Sequence, residues 1–445
     1  MGNKNNIFSM DYSSQNVFTI YANGDNSYGS ISRLNDRNLN IKKLWVFNFQ
    51  CFAIDVFGNL MSWGLNNYYQ LGNTTVNNYL FNDPNSINDS FNYIYSYNLP
   101  EYYLKKLNIA NLNYKAPFSG KDIKKIDGGD GFTLFLLKNG ELFGCGRNDN
   151  LQLGIDISYE KCELVSGKKC LKFITKIEYF SKNNIKLKDI FCGSDFSFAI
   201  DDKNNYYSWG NNEYYQLLRQ SNNLYANLPE KVEKLKQFDL IIKLKLGWSH
   251  GAILTNNNDL YIWGNPFYDY DKNFKTIKDL YKINLPNNND MSLKIVDISS
   301  GFNHISCLVI NNNEKYFIYT FGANEFGQLG YNTQENYTLI PKEVKIKEEG
   351  TITDIECGAF HTIVRYNNDN IYGFGQNNCG QIGDYKDDFI NFPVKYNYKT
   401  DVNLYFLKII CANALTVLIK IPNIIEESKI KIYESEQYIN INENI

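Results

Sequence analysis

Histidine is nearly absent from this chain. His250, His304 and His361 are the only three in 445 residues, and Arg33, Arg37, Arg147, Arg219 and Arg365 are the only five arginines. A metal centre needs three or four ligands converging within a few ångströms, and no Cys-x-x-Cys pair stands near any histidine. Hydrolase, metalloprotease and nucleotide-loop signatures (GxSxG, HExxH, GxxxxGK[ST]) are missing too. These gaps exclude the common catalytic and metal-dependent classes, so neither catalytic residues, nor a metal, nor a cofactor is expected. No run reaches the roughly 18 apolar residues that span a membrane, and the N-terminus carries no apolar signal core. The net charge is −3 with a pI near 5.8, which gives no general attraction to nucleic acid.

Cysteine is present, at nine positions, but scattered. Cys51, Cys192, Cys307, Cys357 and Cys411 fall in apolar strand-like segments, where a thiol behaves as a small apolar side chain. Cys162 and Cys170 share one loop, "CELVSGKKC". An odd, dispersed set points to a reducing compartment, so an intracellular location, cytoplasm or nucleus, is expected.

What the chain has in abundance is a phrase. "WGLNNYYQLG" from Trp63 recurs as "CGRNDNLQLG" from Cys145, "WGNNEYYQLL" from Trp209, "WGNPFYDYDK" from Trp263, "FGANEFGQLG" from Phe321 and "FGQNNCGQIG" from Phe374. Each follows a second segment, such as "IKKIDGGDGFTLFL" from Ile123 or "ITDIECGAFHTIVR" from Ile352. Its tenth residue is here termed the pivot: Gln50, Phe132, Phe196, His250, His304 and His361. Five of the six pivots precede the repeat glycine (Gly64, Gly146, Gly210, Gly264, Gly375) by 14 residues, and His304 precedes Gly322 by 18. Asn- and Gly-rich turns flanked by alternating residues lie between, the pattern of a β-hairpin. Each unit is thus a small antiparallel sheet that must stack on neighbours to bury its apolar face.

A seventh unit is split. "FLKIICANALTVLI" from Phe406, with Leu415 as pivot, has no glycine phrase after it. The missing half stands at the other end as "VFTIYANGDNSYGSIS" from Val17, with Gly24 in the glycine position. An N-terminal strand that completes the last sheet would close a ring and leave only short edges. The expectation is an all-β ring of seven blades over residues 17–420, with a short tail at 1–16, an insertion at 73–122 and an acidic tail at 421–445. A short helix is expected near 102–107.

The G-x-x-H, W-G-x-N and G-Q-L-G segments resemble the regulator of chromosome condensation repeat. That resemblance implies a monomeric seven-bladed β-propeller and a protein partner. In the founding member, an exchange factor for the small GTPase Ran, residues around the pivots line the GTPase-binding face. Carried over, that face comprises Asp130, Asp195, His250, His304 and His361. Exchange requires no bond chemistry, only tighter binding of the nucleotide-free GTPase. The pivots Gln50, Phe132 and Phe196 depart from the consensus histidine. No counterpart of the family's protruding wedge hairpin is visible after the second blade. The recurrence of histidine at one repeat position reads first as structural hydrogen bonding at a strand start. The functional expectation is a protein-interaction propeller; the alternatives are an exchange factor for a Ran-like GTPase and a ribosome- or nucleic-acid-associated factor.

Overall fold

A computed structural model describes residues 7–9, 19–24, 41–55, 58–72, 92–94, 116–156, 162–219, 223–267, 276–286, 292–331, 333, 335–348, 350–367, 370–396, 405–421 and 438–440. The fold is an all-β propeller, a ring of sheets, in five of which four strands follow one another in sequence order from the axis outward. The innermost strands are Ile41–Phe47, Ile123–Gly128, Leu187–Cys192, Ile241–Leu246, Leu293–Ser300, Ile352–Cys357 and Tyr405–Ala412. Each touches the next around the ring, and Tyr405–Ala412 touches Ile41–Phe47.

The repeat count predicts seven blades, and six complete ones are present. The remaining sheet has three strands, with Leu415–Ile421 between Tyr405–Ala412 and the N-terminal Thr19–Gly24. The first blade takes its fourth strand, Asn92–Ile94, from within the 73–122 insertion. The expected helix near 102–107 and most of both tails lie outside the described residues. The second blade departs from expectation. Cys162–Val165 folds back on Lys168–Lys176 as a fifth strand, through a turn whose central residues Ser166 and Gly167 have φ of 48° and 77°. Two positive φ values make this a type I′ hairpin turn. The ordinary phrase ending of the second blade is therefore followed by an extra hairpin. Cys162 stands opposite Leu171, and both loop cysteines are free thiols.

The spacing of the repeat has a direct geometric meaning. Every pivot pairs across its hairpin with its repeat glycine, from Gln50↔Gly64 to His361↔Gly375, including His304↔Gly322, where both strands are eight residues long. The carbonyl just before the pivot accepts a hydrogen bond from the amide just after the glycine: Arg147 N donates to Gly131 O at 2.7 Å and Ala323 N to Asn303 O at 2.7 Å. A Cβ on Gly146 would lie 2.4 Å from that Gly131 oxygen. With φ of 95°, the position admits only glycine at no cost.

The rest of the phrase closes the following turn. Asn148 Oδ1 accepts from Leu153 N at 3.0 Å, and buried Gln152 Oε1 accepts from Asn150 N at 2.9 Å. The same pair of bonds recurs at Asn66 and Gln70, Asn212 and Gln216, Asn324 and Gln328, and Asn377 and Gln381. The turn so formed leaves the glutamine's own carbonyl for the next blade. Ser197 Oγ and Trp209 Nε1 both donate to Gln152 O, at 2.8 and 2.9 Å, and Trp263 Nε1 donates to Gln216 O at 2.8 Å. Each hydrophobic core accordingly lies between consecutive blades, as where Phe196, Phe198 and Leu217 of the third blade pack with Leu244, Ile253 and Trp263 of the fourth. A large apolar side chain buried in this way contributes about 1.5–3 kcal/mol.

The pivots make the second inter-blade link. His304 Nε2 lies 3.0 Å from Thr362 Oγ1, and His361 Nε2 lies 3.0 Å from Thr416 Oγ1. His250 Nε2 lies 2.9 Å from Ser300 Oγ, because Ile305 stands where Thr362 and Thr416 offer a hydroxyl to the pivot of the preceding blade. Thr362 gives its one hydroxyl proton to Gln328 O, 3.0 Å away, so the proton shared with His304 sits on the imidazole Nε2. Gln50 reaches the equivalent hydroxyl without a ring, but as an acceptor: its Oε1 lies 2.9 Å from Thr133 Oγ1, whose one proton is shared between it and Gln70 O at 2.7 Å. Pivots with rings need room. A Cβ at Gly129, Gly193, Gly247, Gly301 or Gly358 would lie 2.0–2.2 Å from the ring of the pivot three residues on. Where the pivot has no ring, as at Gln50 and Leu415, the position holds Phe47 and Ala412 instead.

Two expected outcomes follow from this coupling. Gly301→Ala should lower stability by about 2 kcal/mol in chemical denaturation, as overpacking does. Adding His304→Gln should recover part of that loss, since blade one already pairs a bulky residue with glutamine; simple additivity of the two changes would contradict the coupling. The three histidines are fully buried, and desolvation holds His250 and His361 down at about 3 and His304 well below its usual value. A depressed histidine pKa gives stability that is complete above the unfolded value near 6.5 and is lost as pH falls toward the folded value. Between pH 6 and 4, stability should therefore fall by up to about 1.4 kcal/mol per pH unit for each histidine. His361→Gln should make that slope shallower in urea titrations, and an unchanged slope would contradict the assignment.

Candidate functional site

All pivots lie at one face of the ring, because each begins the strand that follows an innermost one. The turns just before them meet around the axis and are bonded to one another. Asp130 N donates to Ser194 O at 2.6 Å, Trp248 N to Phe302 O at 2.9 Å, Phe302 N to Ala359 O at 3.0 Å and Ala359 N to Asn413 O at 2.8 Å. Asn48 Nδ2 donates to Gly129 O and so joins the first blade to the second. The turns form a platform whose backbone donors point sideways into neighbours.

On the side formed by the second and third blades the platform is charged. Arg147, the residue after the repeat glycine, is held by three hydrogen bonds to two carboxylates. Its Nη1 donates to Asp130 Oδ2 at 2.7 Å, and its Nε and Nη2 grip Asp149 in a fork. Lys168 Nζ reaches Asp149 Oδ2 at 2.8 Å. Asp195 Oδ2 accepts from Asn150 Nδ2 at 2.6 Å and Asn211 Nδ2 at 2.8 Å. Burial raises the Asp130 and Asp195 carboxyls above the ordinary aspartate value, against the pull of Arg147 and the asparagines. Asp149 is driven the other way: its burial is outweighed by hydrogen bonds from Arg147 and Lys168. Three carboxylates against two cations leave one negative charge in excess.

Lys168 is the first residue after the type I′ turn of the extra hairpin. The ion-pair chain Lys168–Asp149–Arg147–Asp130 thus ties that hairpin to the platform. Its outer strand also reaches the first blade, where Tyr69 Oη donates to Glu163 Oε2 at 3.2 Å. At the tip, Leu164 is 68% exposed, an apolar side chain held out in water on a braced arm.

The other side of the platform is aromatic. Trp248, Phe302 and Phe360 stand in successive inner turns, with ring centroids 4.7 and 5.2 Å apart, and Phe326 and Phe389 continue the line outward. Between the two sides, at the axis, lies a cavity of about 190 Å³ lined by Asn48, Phe49, Asp130, Trp248, Phe302 and Asn413 among others.

Of the five residues carried over from the family, Asp130 and Asp195 are brought together on this face. His250, His304 and His361 are not: they sit beneath it, fully buried between blades, each bonded to a hydroxyl. Residue-by-residue reasoning missed Arg147, Asp149 and Asn150, and also Lys168, which follows the turn of the extra hairpin. The Ser-Gly pair between alternating residues in "CELVSGKKC" was the available signal. Among the described residues no cluster of His, Cys, Asp or Glu could hold a metal, and no helix is long and apolar enough to cross a membrane.

The profile of the regulator of chromosome condensation (RCC1) repeat matches residues 139–200, 204–254 and 317–365, and a second profile of that repeat matches 123–152, 187–216, 241–269 and 352–381. The chain is 26% identical over 312 residues to the probable E3 ubiquitin-protein ligase HERC4 of Homo sapiens, covering 60% of this chain and 28% of that protein. It is 26% identical over 279 residues to the regulator of chromosome condensation of Homo sapiens, covering 59% of this chain and 49% of that one. It is 25% identical over 367 residues to an RCC1 domain-containing protein of Dictyostelium discoideum, covering 60% of this chain and 71% of that one. The matched region thus spans less than a third of the ligase and about half of the human regulator. The solved structure of Prp20p from Saccharomyces cerevisiae, described with its binding to Gsp1p and histones, superposes with a TM-score of 0.66 at 17% identity, covering 96% of this chain and 94% of that one. With repeat profiles, relatives and fold in agreement, the chain belongs to the RCC1-repeat family.

Proposed function

We propose that this chain is a protein-interaction propeller with no bond chemistry of its own, docking a partner on the inner-turn platform. The propeller occupies residues 17–420, and the three-stranded sheet is its seventh blade, closed by Thr19–Gly24 from the N-terminal side. The contact between Tyr405–Ala412 and Ile41–Phe47 supports that closure. The observation that carries the docking reading is the braced hairpin, Leu164 exposed at its tip and Lys168 ion-paired into the Asp130–Arg147–Asp149 network. Nothing in blade stacking requires that fifth strand. An exposed apolar side chain on a braced arm, beside a half-buried charge network, gives a partner both an apolar anchor and charges to pair with.

A photo-crosslinking amino acid placed at Leu164 should capture a discrete protein in cells, whereas the same group at Ile340, on the outer strand of the fifth blade, should not. Capture at Ile340 alone, or at neither, would contradict this docking face.

The hairpin also favours a second reading, an exchange factor for a Ran-type small GTPase. A protruding hairpin beside acidic residues is what the family's exchange face carries, and Prp20p, a relative in fold, is described with binding to Gsp1p. Carboxylates such as Asp130 would compete for the GTPase's phosphate-binding cations, and tight binding to the empty GTPase would lower its nucleotide affinity by linkage. Substoichiometric protein should then accelerate release of fluorescent GDP from a Ran-type GTPase. Removing the hairpin tip with Leu164→Asp should cut that acceleration by about tenfold or more, the loss typical of a hot-spot residue, without a change in melting temperature. No acceleration by the folded protein would leave the interaction reading alone.

A further inference from the structure

We propose that the cavity at the axis of the platform is a receptor for one alkylammonium group, a lysine side chain of the docked protein partner. Three aromatic rings line it, Phe49 from the first blade, Trp248 from the fourth and Phe302 from the fifth, together with the carboxylate-bearing Asp130 from the second. Aromatic faces attract a cation through their quadrupole, most strongly where water is displaced, and a carboxylate at the wall adds direct charge. No lysine or arginine lines the cavity. Leu65 and Gly131 also line it, and the polar side chains of Asn48, Gln50 and Asn413 can accept or relay the ammonium's hydrogen bonds.

Size narrows the ligand. A volume of about 190 Å³ equals roughly six waters at 30 Å³ each, below the roughly 300 Å³ at which small-molecule pockets begin. A nucleotide or drug-sized molecule does not fit; a single long side chain does. The charge pattern selects its sign. Among the described lining residues Asp130 alone is charged, and Arg147, its partner outside the lining, is shared with a second carboxylate, Asp149. A carboxylate or phosphate would meet the rings' negative faces and the acidic wall together. A neutral apolar chain would fill the space but bring no charge to Asp130, whose cation Arg147 is shared with Asp149. Lysine suits the site better than arginine, because a compact ammonium on a flexible stem enters a narrow axial opening that offers no paired carboxylates for a guanidinium fork.

The cavity lies at the centre of the platform, so the inference rests on the platform being the partner-facing side. The test does not need the partner. N-acetyl-lysine methylamide and its neutral counterpart, N-acetyl-norleucine methylamide, are titrated into the purified full-length chain by saturation-transfer NMR. The lysine compound should bind and the norleucine compound should bind at least about fivefold more weakly, the factor expected of a partly desolvated cation–π contact. Trp248→Leu and Asp130→Asn should each weaken lysine binding by about three- to tenfold, whereas Tyr281→Ser, on the outer strand of the fourth blade, should leave it unchanged. Equal binding of the two compounds, no binding at all, or lysine binding indifferent to Trp248→Leu would each overturn the proposal. Should a substitution unfold the protein, the comparison of lysine with norleucine on the unaltered chain still decides. Crosslinking from Leu164 with no lysine binding would mean that the platform docks its partner without an axial lysine. Lysine binding with no crosslink would retain the cavity and reject the hairpin as the contact.

Discussion

Everything in this ring depends on one junction, where the start of the second strand of each blade meets the turn of the blade before it. There a buried glutamine, held by its own side chain to the turn it sits in, offers its backbone carbonyl to the next blade. A hydroxyl or an indole N–H of that blade takes it up, as Ser197 and Trp209 do at Gln152 O. Buried polar groups left unpaired cost more than the paired ones gain, so this junction fixes the blade-to-blade register that apolar packing alone would leave loose. The pivot side chain then reaches to the same place from the preceding blade, with imidazole at His304 and His361 or amide at Gln50.

The same junction makes the platform. Because pivots and repeat glycines pair directly, the inner turns and the phrase turns lie on one face and are locked sideways by backbone bonds. What remains for function is whatever side chains those short turns carry. They carry acid and asparagine on the second and third blades and aromatics on the fourth, fifth and sixth. The ring would stand with either set, so the two-sided character of the platform is not a requirement of folding. Function on such a scaffold is a property of the residues grafted onto it.

Much of this was legible in the sequence, for physical reasons. A spacing of 14 residues between pivot and glycine is visible because a hairpin maps sequence distance onto direct pairing, and the 18-residue copy merely has longer strands. The split unit was legible because its halves stand at opposite ends. Other features were hidden. Gln50 looked like a departure from histidine, yet hydrogen-bonding reach, not ring identity, is what the junction needs. Its partner Phe47 shows why: without a ring at the pivot, no glycine is needed three residues earlier. The fourth strand of the first blade, Asn92–Ile94, is three residues within a polar insertion, too short for any periodicity to show. The fifth strand of the second blade was read as loop, since four residues with two facing solvent give little alternation. The Arg147 network joins residues from separate turns of the second and third blades, which no local pattern brings together. The carboxylates Asp130 and Asp195 were placed on the site by resemblance, and the three histidines by the same argument; burial separates the two groups.

The claim at the centre of this account is that the inner turns, though they lie at a surface, are a rigid platform bonded from blade to blade. Amide hydrogen exchange measures that most directly. The amides of Asp130, Trp248, Phe302 and Ala359 should exchange as slowly as those of the neighbouring strands, because each donates across a blade boundary. If they exchange as fast as the amide of Asn139, in an exposed hairpin turn, the turns are not bonded into a platform and the account fails.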